Sequence, residues 1–288
     1  MYVLFTDTDN DVTPEIAKEY GYNLISMPYS IDDNDVYPYV DFEKFDDAEY
    51  YNKLRNGVVP KTSAVNSEQY IEYFEPFFKE GKDILYVHFS EALSGTFSVM
   101  SKALAELKEK YPERKFYSID TKGLSLLGLV IVREIGEMYL AGKSAEEIVK
   151  WANDNVLNYS MLLYADDLKF FAKSGRISNF SAIIGSLIGL HPIIYLNNDG
   201  KMVSLCKCRG KKGSLNRIIE LVEETNDDIA NNKVIVGHSG DEETAKVFAE
   251  KLKEKFGIKD IEIVVVNPTA GAHCGPNCVG LAFRCKHR

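Results

Sequence analysis

The feature that most restricts the fold is a change of period repeated along the first half of the chain. Short apolar runs alternate with longer stretches whose apolar residues recur at helical spacing. "MYVLFTD" at 1–7 reads as a strand, and Thr13-Pro14 opens a helix that stops near Gly21. Thr is a favoured N-cap there and Pro suits the first helical position. "NLISMPYSI" at 23–31 reads as the next strand. Segments 41–56 and 67–80 read as helices, followed by Gly57 and Gly81 at C′ positions. Pro76 is expected to kink or split the second. "ILYVHFSEALSGTFSVM" at 84–100 passes from strand to helix with Ser94-Gly95-Thr96 at the join, and Phe97, Met100, Leu104 and Leu107 share one helical face. "KFYSID" is a further strand, 124–141 a helix, and Ser144 with Glu147 a capping box. Strands alternating with helices imply a parallel sheet covered on both faces, a three-layer α/β/α domain.

The second half has another rhythm. "SMLLYA" reads as a strand and "DDLKFFAKSGRIS" as a short helix running into a loop. "PIIYLNNDGKMVSLCKCR" reads as a β-hairpin turning at Asn198-Asp199-Gly200. Helices at 214–224 and 242–256 and strands at 233–236 and 261–267 follow. This predicts a second α/β domain with a mixed sheet. The boundary falls near 153–159, giving domains 1–158 and 159–288. With 288 residues, 45% of them hydrophobic, the chain has enough apolar material for two such cores.

A net charge of -9 argues against nucleic acid and anionic membrane as partners. The first residues show no basic segment leading into an apolar core. The longest apolar runs, such as 124–132, fall short of the roughly 20 residues a bilayer span needs. A cytoplasmic location without stable membrane insertion is expected. Cys206, Cys208, Cys274, Cys278 and Cys285 form an odd set, which suggests free thiols.

Three segments carry candidate chemistry. At Ser94-Gly95-Thr96 the first amides of a helix are unpaired, and the helix dipole adds partial positive charge. Together these suit an anion, with Gly95 admitting a ligand to the backbone and two hydroxyls adding donors. Ser94 could equally be a plain N-cap, although Phe97 stands where a reciprocal capping box wants Glu or Gln. Thr62-Ser63 follows Pro60 in an extended segment, and in a parallel sheet both segments can meet at the carboxyl-end edge. "NPTAGAHCGPNCVGLAF" reads as a tight irregular loop with His273 in its middle, its glycines implying close backbone approach.

Two other chemistries compete. Ser94 and His273 could form a nucleophile–base pair, oriented by Asp7 or Asp120, in a hydrolase of acyl esters. No strained elbow motif surrounds Ser94. Cys274 and Cys278 beside His273, with Cys285 and His287 downstream and Cys206 and Cys208 on one strand face, could hold a metal. Paired Cys-x-x-Cys knuckles are missing, and cysteines packed as small hydrophobes give the simpler account. Lys207, Arg209, Lys211 and Lys212 make a basic cluster suited to an acidic partner.

Taken together, "TDTDND" at 6–11, "KTSAVN" at 61–66, "LSGTFSV" at 93–99, "DLKFFAKSGRIS" at 167–178, "HPIIYLNNDGK" at 191–201 and "HCGPNCVG" at 273–280 resemble the DegV family of bacterial fatty-acid-binding proteins over nearly the whole chain. The resemblance implies a two-domain α/β protein that holds one long-chain fatty acid, such as palmitate, in an interdomain tunnel. It implies a carrier rather than an enzyme, with no cofactor or metal. It implies that Thr62 and Ser94 hold the carboxylate with His273 close by, within a loop cluster that includes Ser63, Gly95 and Thr96. Some relatives present the acid to a fatty acid kinase, and Arg176 and Arg209 match positions implicated in that docking. The sequence departs from the family at Ala64-Val65-Asn66, at Ser174-Gly175 and at Asn277-Cys278.

The physics of such a ligand is simple. Burying roughly fourteen methylenes at about 0.8 kcal/mol each favours binding by roughly 11 kcal/mol before entropic losses. Each hydrogen bond to the charged head adds roughly 1.5–3 kcal/mol. The tail supplies affinity, and the polar cluster sets orientation.

Overall fold

The computed structural model describes residues 1–177 and 189–288. Ser178, the last residue of the Gly-Arg-Ile-Ser segment, lies outside them. In chain order the first half runs β1 (Tyr2–Asp7), α1 (Pro14–Tyr20), β2 (Tyr22–Ile25), β3 (Tyr29–Ile31), β4 (Asn34–Val36), α2 (Asp47–Arg55), β5 (Lys61–Thr62), α3 (Ser67–Lys79), β6 (Asp83–His88), α4 (Thr96–Lys110), β7 (Phe116–Asp120), α5 (Leu126–Leu140) and α6 (Ala145–Asn155). The second half runs β8 (Tyr159–Tyr164), α7 (Leu168–Ser174), β9 (Leu190–Leu196), β10 (Met202–Arg209), α8 (Gly210–Thr225), β11 (Val234–His238), α9 (Glu242–Phe256), β12 (Ile261–Val265), α10 (Pro268–Cys274) and β13 (Val279–Arg284).

The apolar strands of the first half form a parallel sheet in the order β2-β1-β6-β7. From Tyr159 onward the strands belong to a second, mixed sheet in the order β10-β9-β8-β13-β11-β12, parallel only between β11 and β12. The protein is α/β, with one parallel and one mixed sheet.

Local signals explain where elements start and stop. Thr13 Oγ1 accepts the Ile16 amide at 3.4 Å, and Gly21 ends α1 at φ 76°. Asn66 and Gln69 form a reciprocal capping box on α3, as Ser144 and Glu147 do on α6. Pro76 neither splits nor ends α3, because Tyr70, Phe74 and Phe78 anchor one face in the core and the last turn closes from the Glu80 amide to the Pro76 carbonyl at 3.1 Å.

The structure departs from the sequence reading in three places. The single strand expected at 23–31 is two, because Pro28 cannot donate to a ladder and the chain leaves the parallel sheet there. β3 then joins β4 and β5 in a small antiparallel sheet that alternation alone does not signal. The segment around His273, expected as an irregular loop, is α10. Asn267 Oδ1 accepts the Ala270 amide at 2.8 Å and Pro268 fills the first helical position, the same pairing that opens α1.

α5 lies between the two sheets, packed against β8, β11 and β13 on one side and α1 on the other. Its residues are buried from Leu126 to Val132 without a polar face, as a helix enclosed on all sides requires. Gly237 on β11 permits this closeness, since a Cβ there would come within 2.2 Å of the Leu126 side chain. One apolar core runs from Leu4 and Phe5 through α5 to Met161 and Ala282, across both sheets.

Candidate ligand-binding site

The parallel sheet dictates where a site can form. β1 continues through α1 to β2 on one side, while β6 pairs on the other side of β1. Connections leaving the carboxyl ends of β1 and β6 therefore diverge and open a crevice. That crevice is a chamber lined by Asp9 after β1 and by Phe89, Leu93, Ser94 and Thr96 after β6. Thr62, Ser63, Arg176, Thr269 and His273 close it from other elements.

Backbone and side-chain hydrogen bonds hold these polar groups. Thr62 pairs with Tyr29 across β5 and β3, and the Ser63 amide donates to the Pro28 carbonyl at 3.3 Å. Ser94 precedes α4, and its Oγ accepts the Thr96 amide at 3.2 Å. The N-cap of α4 is Gly95, not Ser94. A hydroxyl has one proton and two lone pairs, so Ser94 can accept the Thr96 amide and still have its O–H to donate. Thr96 Oγ1 lies 2.8 Å from the Tyr70 hydroxyl. His273, in the last turn of α10, has Nε2 3.0 Å from Thr62 Oγ1. Burial, reinforced by the Arg176 guanidinium, pushes its pKa down to about 4, so the imidazole is neutral at pH 7. Arg176 Nε donates to the Leu93 carbonyl at 3.1 Å, which fixes the guanidinium beside Ser94.

A second chamber adjoins the first. It shares Leu124, Met202 and Ala270 with it. Leu126, Met161, Leu163, Phe171, Val266 and Val279 supply an almost wholly apolar wall. It lies between α5, α10 and the mixed sheet. The two are neighbours through those three residues, one mostly polar and the other almost wholly apolar. An open surface cleft at the mouth, lined by Glu91, Gly95, Gly175 and Lys201, shares Leu93, Ser94 and Arg176 with the polar chamber.

Thr62, Ser63, Ser94, Thr96 and His273 thus meet around one chamber, and Gly95 lies at its mouth. Arg176, expected on a docking surface, also lines the chamber. Arg209 lies at the opposite end of β10 from Met202, which bridges to Ile177. Seven residues of strand separate the two arginines' neighbourhoods by roughly 23 Å. In the basic cluster, Lys211 pairs with Asp241 at 2.7 Å.

Sequence reasoning missed Asp9, Thr269 and the whole apolar chamber. Asp9 was reachable, since it directly follows β1 at the switch point. The apolar lining carries no local signature.

The Ser94–His273 pair that a hydrolase would need forms no hydrogen bond among the described residues. Among the described residues the His273 imidazole meets Thr62 rather than Ser94. Asp7 accepts from the Tyr86 hydroxyl and Phe89 amide, and Asp120 pairs with Lys122. Neither orients His273. The cysteines are unpaired, and no cluster of three metal-ligating side chains occurs among the described residues. Among them, too, no helix is long and apolar enough to cross a membrane.

A family model described as the DegV family of uncharacterised proteins matches residues 1–286. A DegV domain-containing protein of Clostridium perfringens is 34% identical over 282 residues, covering 98% of this chain and 97% of its own. Of solved structures, a fatty acid binding DegV family protein from Streptococcus agalactiae superimposes with a TM-score of 0.85 at 25% identity, covering 100% of this chain and 99% of that one. A stearic acid-binding protein from Eubacterium ventriosum gives 0.87 at 22% identity, over 98% and 97% of the two chains, which establishes a shared fold.

Proposed function

The chain belongs to the DegV family, and on that premise we propose that it binds one long-chain fatty acid along the path between its sheets. The observation that carries the proposal is that a hydroxyl-lined chamber and an apolar one adjoin, with Leu124, Met202 and Ala270 lining both. A molecule with one charged end and a long apolar remainder matches that sequence of surfaces. The S. agalactiae relative, described as fatty acid binding, supports it.

The carboxylate takes the polar chamber. Ser94 donates its free O–H. With its proton on Nε2, neutral His273 donates to Thr62 Oγ1, leaving the Thr62 O–H for the ligand. Arg176 supplies the positive charge. The tail takes the apolar chamber, whose exclusion of water supplies most of the affinity. Nothing in this constellation alters the ligand, so we read a carrier rather than a catalyst, with no cofactor. Presentation of the head to a fatty acid kinase would use the mouth at Gly95, Gly175 and Arg176, the side on which the carboxylate lies nearest the surface.

Mass spectrometry of lipid extracted from the purified protein tests the reading. A copurifying long-chain acid, reduced in Thr62→Ala at unchanged thermal midpoint, is the expected result. A lipid-free protein that also fails to take up palmitate would overturn it.

A further inference from the structure

Three carboxyl groups, Asp7, Asp9 and Asp11, follow β1 into the interior, and all are buried. Two are well served. Asp7 accepts from Tyr86, Phe89 and Asp9. Asp11 accepts from the Ser125 hydroxyl at 2.5 Å and from Asn267 at 2.8 and 2.6 Å. Asp9 differs. It is 7% exposed, lines the polar chamber, and its Oδ1 has no hydrogen-bond partner among the described residues. Thr269, its neighbour in that wall, donates to the Met27 carbonyl at 3.0 Å and lies within hydrogen-bonding reach of the Asp9 carboxyl. A buried carboxylate with an oxygen left without a donor is costly, whereas a carboxylic acid carries a proton to give.

We propose that Asp9 stands in the chamber as a neutral carboxylic acid and donates its O–H to the carboxylate of the bound ligand, forming an acid–carboxylate pair. The inference rests on the fatty acid reading above and adds a recognition residue to it. Charge balance supports it. Of the residues lining the chamber, Arg176, Asp9 and His273 are ionisable. With Asp9 and His273 neutral, Arg176 presents one positive charge to one negative head. An ionised Asp9 would cancel Arg176 and repel the ligand. Burial, and then the neighbouring Asp7 and Asp11 charges, drive the Asp9 pKa well above the carboxylate range. Tyr70 and Tyr86, which face it from α3 and β6, add no positive charge.

The experiment measures palmitate affinity at pH 7 for the wild type, Asp9→Asn and Asp9→Ala, alongside infrared spectra with and without palmitate. Asn keeps a donor without a charge, so it should bind within about threefold of wild type, and Ala should bind about tenfold or more weakly. A carboxylic acid C=O band present in the wild type and absent from Asp9→Asn should shift when palmitate binds. Ala binding as tightly as wild type, or a band that palmitate leaves unmoved, would overturn the proposal while leaving fatty acid binding intact. A wild type that takes up no palmitate would instead remove the function and this pair with it. Should Asp9→Ala not fold, the Asn variant and the infrared band decide alone.

Discussion

The two chambers of the site are built by opposite means. The polar one lies where connections diverge from the carboxyl ends of a parallel sheet, and its hydroxyls at Thr62, Ser63, Ser94 and Thr96 lie on or beside those connections. The apolar one lies between α5, α10 and the mixed sheet, and its walls come from residues far apart in sequence. The first is a property of strand–helix junctions; the second exists only once the mixed sheet closes on α5 and α10. Their energetic roles divide similarly, because methylenes add up and head-group bonds orient.

The largest test of that division fills the junction. Ala270 lines both chambers, so Ala270→Phe should lower palmitate affinity about ten-thousandfold, by denying roughly half the methylenes their burial. Octanoate, needing less of the apolar chamber, should lose far less in the same displacement assay. Equal losses for both acids would mean that the apolar chamber does not hold the tail.

Removing one head contact should matter less. Ser94→Ala should weaken palmitate binding about 10- to 100-fold by calorimetry with little change in thermal midpoint, since only one bond from a backbone amide is lost with it. Palmitate methyl ester, lacking the charge, should show a smaller difference between the two proteins.

Stability should respond to pH in opposite directions at two buried groups. Burial raises the Asp7 pKa to about 7, so its contribution is full below about 4 and lost as pH rises through about 7. Relative to wild type, Asp7→Asn should therefore gain a few degrees in melting temperature between those limits. The His273 pKa falls to about 4, so its contribution is full above about 6.5 and lost on acidification through about 4. His273→Gln should gain on wild type as pH falls. Parallel slopes for the two variants would contradict the burial of one of them.

The smallest effect concerns the arginines. Arg209→Glu, remote along β10, should leave palmitate affinity within about twofold, whereas Arg176→Glu should lower it more than tenfold. Equal effects would show that Arg176 acts as a surface charge rather than as a wall of the chamber.

By itself the sequence determined the strand–helix alternation of the first half, the caps at Thr13 and Ser144, the hairpin of β9 and β10, and the hydroxyls at Thr62 and Ser94. These follow from period, cap chemistry and turn residues, which act over a few positions. It did not determine that Pro28 divides two sheets, that the His273 segment is helical, or that α5 is shared by both sheets. Nor could it say that His273 meets Thr62 rather than Ser94, or that Leu126, Met161 and Val279 surround one cavity. Only the tertiary structure decided these, because they depend on which distant surfaces pack together. Asp9 lies between the two cases. Its position after β1 was legible, but the unsatisfied Oδ1 emerged only when Tyr86, Ser125 and Asn267 had gone to its neighbours.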